Sequence, residues 1–201
     1  MKTTSVKSII LFSILIMISC YTFAQDDYTE FFKRSIMTNS TGMAVLGGWA
    51  IGNITLGAYG WAQYSGQQKY FNQMNLFWNT VNLSIAGFAL YKNYHTDASL
   101  FDAQEILARH LQTEKILLIN SALDIGYIGT GFLLRHLSTR SDQRSELLNG
   151  YGNSLILQGG FLFVFDLCLY GILRNQRLDF LDGLNIGILP GLNGFQFVLN
   201  M

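Results

Sequence analysis

Between residues 72 and 82 the chain runs Asn-Gln-Met-Asn-Leu-Phe-Trp-Asn-Thr-Val-Asn, so asparagine recurs at steps of three, four and three. Wound as a helix, this spacing lines Asn72, Asn75, Asn79 and Asn82 along one face, while Leu76, Phe77, Trp78 and Val81 cover the rest. The stretch 83–91 that follows carries no charge. A polar seam on an otherwise apolar helix has to face groups that can hydrogen-bond it.

The same alternation of long apolar runs and short charged links extends along the chain. Four segments stand out: 42–62, 74–91, 116–134, interrupted by Asp124 alone, and 151–173, interrupted by Asp166 alone. Each is about 18 to 23 residues long, enough to carry a helix across the hydrocarbon core of a bilayer. A buried helix of a soluble bundle normally keeps a charged outer face, and these segments do not. The expected fold is all-α, a polytopic membrane four-helix bundle over residues 25–175. Residues 176–201 turn β-like: Ile186 and Ile188 alternate, Pro190-Gly191 marks a turn, and Phe195, Phe197 and Leu199 alternate again. A short hairpin lying against the membrane or the helix ends is expected there.

Ahead of the first span, Lys2 and Lys7, the apolar run 9–18 and Thr22-Phe23-Ala24 have the order of a signal peptide cleaved before Gln25. An uncleaved anchor helix and a lipoprotein-type Cys20 are the alternatives, and all three target the chain to a membrane or beyond it. Residues 25–41 are polar and mixed, a solvated lead-in or a short interfacial helix. The link 92–115 has a helix-start pattern at Ser99–Asp102 and an apolar face of Leu100, Ala103, Leu107 and Leu111. It is expected to lie on the membrane surface with His95, His110 and its acids in water. The spacing of those histidines matches no zinc pattern.

The other spans repeat the polar seam. Asn120, Asp124, Tyr127 and Gly131 share a face of the third, and Ser154, Gln158 and Asp166 one side of the fourth. Asn53 stands near Gly57 and Gly60 in the first. The candidate polar core, and candidate ligand site, is therefore Asn53, Asn75, Asn79, Asn82, Asn120, Asp124, Gln158 and Asp166. An ionised Asp at mid-membrane costs about 2.5–3.5 kcal/mol. No Lys or Arg lies inside any span, so Asp124 and Asp166 need amide partners, water or a proton. Two readings stand side by side: these groups join the helices, or they line a pocket or ion path. Gly48 and Gly52 suit close helix contact inside the subunit, with a dimer interface as the alternative, and the cluster Gly126, Gly129 and Gly131 is assigned to helix packing. Gly52 and Gly57 also match Gly126 and Gly131 at one offset, suggesting two duplicated helical hairpins.

Composition narrows the classes. Half of the 201 residues are hydrophobic and 13 per cent are charged, about half the usual charged share. Net charge is zero, so no nucleic-acid surface is suggested. With Cys20 in the leader, Cys168 is alone, and an internal disulfide of the mature chain is excluded. No nucleophile, base or metal motif is visible, and no cofactor is expected. Cleavage at Ala24 would place both termini outside, whereas the Lys and Arg count of the loops favours the opposite orientation.

The string Tyr70-Phe71-x-Gln73-Met74-Asn75-x-x-Trp78-Asn79-x-x-Asn82 resembles a family of bacterial multi-span proteins catalogued as a domain of unknown function. Leu46-Gly-Gly-Trp-Ala-Ile-Gly-Asn53, Asp124-x-Gly-Tyr127 and the stretch from Gly150 through Asp166 resemble it too. The resemblance implies a four-span architecture in a bacterial cytoplasmic membrane, and no reaction. The expected function is an integral membrane protein whose polar core binds a small polar, ionic or lipid-like ligand. The rivals are an assembly subunit of a membrane complex and a membrane enzyme using an intramembrane Asp. Expected partners are membrane lipids, with a second copy or a membrane protein as further candidates.

Overall fold

The structure, a computed structural model, describes the backbone of residues 3–184 and of two short segments beyond it, and the side chains of residues 27–184. The folded body is all-α. Helix α1 spans Thr3–Gln63, α2 Gly66–Tyr94, α3 Ala103–Ser138 and α4 Ser145–Gly183. The expected leader falls within the backbone range of α1, and its side chains lie outside the described residues. C-terminal to α4, Ile186–Gly191 and Gly194–Leu199 run antiparallel. The side chains of residues 185–201 lie outside the described residues, so a hairpin packed on the helix ends is not a supported part of the fold.

Each connection has a local cause. The turn from α1 to α2 is two residues long and resolves at Gly66, whose φ of +61° an L side chain rarely adopts. Between α2 and α3, Asp97 accepts the Ser99 backbone N–H at 3.0 Å and shapes a short 3-10 turn, Ala98–Leu100. Helix α3 starts later than Ser99, because Asp102 and Glu105 form a capping box. The Asp102 carboxylate accepts the Glu105 N–H at 2.8 Å, and Glu105 accepts the Asp102 N–H at 3.4 Å.

The helices form two hairpins, α1 with α2 and α3 with α4, and α2 packs on α4 between them. Glycines set the close crossings. A Cβ on Gly131 would lie 2.7 Å from the Gly152 carbonyl oxygen, and one on Gly152 would lie 2.7 Å from that of Gly131. Gly150 brings α4 onto α2 in the same way, 2.6 Å from the Gln67 carbonyl, and Gly57 meets Asn72 and Leu76 of α2. Gly48 and Gly52 have no neighbour within 4 Å, which corrects their assignment to packing inside the subunit; Gly126 and Gly129 are equally open. The sequence α2–α3 is the exception to neighbour packing: these two helices do not form a packed pair.

Two expectations about the links are overturned. Residues 27–41 are part of α1, and Phe31, Phe32 and Ser35 are buried, so this is no solvated lead-in. Phe31 stacks on Phe180 at 4.4 Å between centroids, and Phe32 meets Phe101 edge-on at 5.7 Å. Likewise, 103–115 is no surface helix but the opening of α3, with Ile106 and His110 buried and Leu111 exposed. The apolar face was misplaced by about one residue around the helix. Ile106, His110, Glu114 and Leu117, spaced four, four and three, form the inward line.

Among the described residues, two helices, α3 and α4, are long and apolar enough to cross a membrane. Hydropathy does not carry the expected four spans. In α2 the seam asparagines themselves lower it, and in α1 the span is rich in Gly, Thr, Asn, Trp and Tyr.

Candidate functional site

The eight candidate residues separate into two groups with different chemistry. Three of them, Asn53, Asn75 and Gln158, close a ring across α1, α2 and α4. The Asn75 Nδ2 donates to Asn53 Oδ1 at 2.8 Å, and the Gln158 Nε2 donates to Asn75 Oδ1. Trp49 Nε1 donates to Gln158 Oε1 at 3.0 Å, and Asn53 Nδ2 returns to the Trp49 carbonyl at 2.9 Å. Ser154 adds a hydroxyl to Asn75 Oδ1 at 3.4 Å. Stacking of Trp49 on Phe161, 3.8 Å between centroids and 6° from parallel, holds the indole in place. Here the amides act as a joint: their polar atoms are paired with one another and leave little for a ligand.

The second group borders a cavity of about 560 Å3. Asn82, Asn120, Asp124 and Asp166 line it with Trp78 and Tyr127, whose rings meet edge-on at 4.7 Å. Asp124 on α3 and Asp166 on α4 are both buried and line the same groove. Two carboxylates offer acceptors only, so the two acids could pair directly only with a proton on one of them. Three residues of this wall carry a buried atom with no protein partner: Trp78 Nε1, Asn82 Nδ2 and Asp124 Oδ2. Buried polar atoms without partners are uncommon, and each asks for an explanation. Asn79 lies between the groups. Its Nδ2 donates to the Asn75 carbonyl at 2.8 Å and its Oδ1 is unpartnered, but it does not line the cavity.

The remaining walls are apolar: Met43 and Leu46 from α1, Val81, Ile85, Phe88 and Ala89 from α2, Ile116, Leu117 and Leu123 from α3, Leu162 and Phe165 from α4. Val81, Ile85, Phe88, Ile116 and Leu123 are also exposed on the outside of the body. The cavity is thus a groove between the unpaired helices α2 and α3, backed by α1 and α4, with its long side open. Asn39, Lys92, Asn93 and Thr113 border its other end, where Asn93 Nδ2 donates to Asn39 Oδ1 at 2.8 Å.

Sequence reasoning missed one constellation altogether. At the end of the body bearing Phe31 and Phe180, His110 is 1 per cent exposed and lies between three partners. Its Nδ1 faces Ser35 Oγ at 2.8 Å, and its Nε2 faces the Leu173 carbonyl at 3.0 Å and Glu114 Oε1 at 3.1 Å. Two acceptors at Nε2 place the proton there, and the Ser35 hydroxyl donates to Nδ1, so the neutral ring satisfies every contact. Burial pushes the imidazole below its usual pKa, and Arg177, rather than His110, supplies the positive partner of Glu114. The Ser–His–Glu order evokes nucleophilic catalysis, but Ser35 and His110 are both buried and neither lines the groove. It is an internal brace. The signal for it lay in the periodic line Ile106–His110–Glu114–Leu117, which runs on into Ser121 and Asp124.

With the geometry in view, the chain belongs to a family of unknown function, DUF6992, whose match covers residues 45–167. That range takes in the amide ring, Asp124, Asp166 and all of the groove lining except Asn39 and Met43, and leaves out Ser35 and Arg177. No curated protein and no solved structure matches the chain.

Proposed function

We propose that this chain is a four-span membrane protein that holds a small amphiphilic ligand in the groove between α2 and α3. The observation that carries the reading is a polarity turned inside out. The buried set includes Asn75, Asn79, Asn82, Asp124, Gln158 and Asp166, while large apolar side chains are exposed on all four helices, among them Leu56, Phe88, Phe132 and Val164. Water would drive such a body to associate or collapse, whereas lipid solvates its exterior. A groove open along its side to that exterior admits a molecule from the bilayer, and its size is that of a small-ligand site. In this reading the leader 1–24 delivers the chain to the cytoplasmic membrane of a bacterium, and α1 and α2 span it beside α3 and α4.

The test is occupancy of the groove. In lipid nanodiscs, a dansyl-labelled fatty chain should bind once per protein. Ala89→Trp, which fills the groove from α2, should remove that binding and leave the melting temperature near its original value. Equal binding by the variant and the unaltered protein would overturn the reading.

A second reading has its own observation. Gly48 and Gly52 lie open on the outer face of α1, where a helix of a partner protein or a second copy could approach closely.

A further inference from the structure

The two ends of the groove differ in charge. At one end Trp78 meets Tyr127 edge-on, and the buried Asp124 and Asp166 belong to the wall. At the other, Asn39, Lys92, Asn93 and Thr113 form the rim. Among the described residues Lys92 is the one Lys or Arg that lines the groove, and it pairs with no carboxylate. It is exposed and lies in the last turn of α2. Resting on the ligand-binding reading of the groove, we propose that its occupant is a single-chain amphiphile of the fatty-carboxylate class, with the anionic head at Lys92 and the tail running inward between α2 and α3.

Hydrogen bonding at the rim points the same way. Asn93 Nδ2 donates to Asn39 Oδ1 at 2.8 Å and to Ser40 Oγ at 3.0 Å, which uses both hydrogens of that amide. Asn39 thus accepts through its oxygen, and its Nδ2 is left as a donor beside the ammonium-bearing turn. A carboxylate only accepts and can take an ammonium and an amide N–H together. A cationic head would meet Lys92 as a like charge.

Depth sets the orientation. From Trp78 to Lys92, α2 covers fourteen residues, roughly 21 Å, and presents Val81, Ile85 and Phe88 to the groove, with Ile116 and Leu117 of α3 also lining it. With four spans, the last turn of α2 lies at a membrane surface. The head then keeps its hydration while the tail descends, and no charge is carried into the hydrocarbon. Turned end for end, a carboxylate would be taken down to Asp124 and Asp166. The volume of about 560 Å3 is on the scale of a small-ligand site and suits one chain rather than the two of a phospholipid.

The test is displacement of the dansyl chain, used as an uncharged amide, by oleate, oleylamine and oleyl alcohol in phosphatidylcholine nanodiscs. Mildly alkaline pH keeps oleate ionised and Lys92 charged. The three competitors share one tail, and comparing each between variant and unaltered protein cancels their different partitioning into lipid. Lys92→Met should weaken oleate about fivefold, the upper range for a partly solvated ion pair, and should weaken neither of the others. Lys92→Arg should restore oleate, and Lys115→Met, exposed on α3 and outside the groove lining, should change nothing. Retained binding of the dansyl chain by Lys92→Met shows that the groove has folded. Oleate indifferent to Lys92→Met overturns the proposal, and so does an equal loss of oleyl alcohol, which would assign Lys92 to packing. Oleylamine binding that is the tightest of the three and is lost in Asp166→Asn would mean that the acids select a cationic head, and the proposal falls. Failure of the dansyl chain to bind the unaltered protein would remove the groove reading first, and this proposal with it.

Discussion

Arg177 on α4 forks onto the Glu114 carboxylate on α3, with Nε 2.8 Å from Oε1 and Nη2 3.0 Å from Oε2. The planar guanidinium suits both carboxylate oxygens at once, so this bidentate pair fixes the register of α3 against α4 at the end away from the glycine crossing. Glu114 is buried, and the Arg177 side chain is 18 per cent exposed, so the pair is only partly screened by water.

Breaking that fork from one side should be worse than removing it. Glu114→Ala leaves Arg177 facing a low-dielectric interior and should cost about 3–5 kcal/mol at most, less the share that water recovers at the exposed edge of Arg177. The double variant Glu114→Met with Arg177→Met should cost clearly less than the two single changes added together. A thermal-unfolding double-mutant cycle in nanodiscs checks this, and additive costs would mean that the two side chains do not interact.

Acid should loosen the same end of the body. His110 is held neutral by burial, so its pKa in the fold lies below the ordinary value of 6.5. Its neutral form therefore contributes stability that is fully present above about pH 6.5, and this is lost as pH falls through the lower folded value. A plot of unfolding midpoint against pH should decline on the acid side, and His110→Gln should flatten that decline while lowering the plateau. An acid limb unchanged in the variant would assign it to other groups.

Among the seam residues, Asn75 should be the most costly to replace. Its Oδ1 accepts from Gln158 and Ser154 and its Nδ2 donates to Asn53, so Asn75→Leu strands several buried partners together. Each orphaned group is worth about 1–3 kcal/mol. Asn72→Leu should cost less, because the Asn72 amide bonds only its own helix, at the Gln68 carbonyl. Equal melting temperatures for the two variants would deny the ring its role as a joint.

The glycines make a sharper pair. Gly131→Ala drives a methyl toward the Gly152 carbonyl and should cost about 1–3 kcal/mol by overpacking. Gly126→Ala meets nothing within 4 Å and should be neutral or slightly stabilising through helix propensity. Thermal melts of the two variants decide it.

Topology separates four spans from two. With Cys20 and Cys168 replaced by Ser, single cysteines at Ser65, Ser99 and Ser141 can be labelled in sealed vesicles. Four spans put positions 65 and 141 on one side and 99 on the other. If α3 and α4 alone cross, positions 65 and 99 label from the same side.

The parts legible in the sequence were those encoded by period. Asn75, Asn79 and Asn82 are buried because steps of four and three keep them on one helix face, and Asp124 and Asp166 are buried as their position in apolar runs requires. What periodicity cannot supply is the rotation of one helix against another. That is why Asn53, Asn75 and Gln158 could not be told apart from Asn82 and Asp124, although the first three pair among themselves and the others do not. It is also why His110, next to Arg109 in a link rich in acids, reads as solvated from the sequence. Ser35 lies 75 positions earlier, and only the folded chain brings the two together. The start of α3 was misjudged for a more local reason, since Ser99 is engaged by Asp97 and yields the cap to Asp102.

The unpaired flank of α2 and α3 has a mechanical consequence. These helices are tied to each other in sequence by the link 95–102, while each is packed tightly to its own hairpin mate and α2 to α4. The groove's width is therefore governed by the angle between two stiff levers, and the amide ring of Asn53, Asn75 and Gln158 joins α2 to α1 and to α4, the hairpin mate of α3. A small rotation there is multiplied along the helices before it reaches Phe88 and Ile116. The joint works as the axle of a clasp, coupling what happens among four amide and indole groups to how far the flank stands open to lipid.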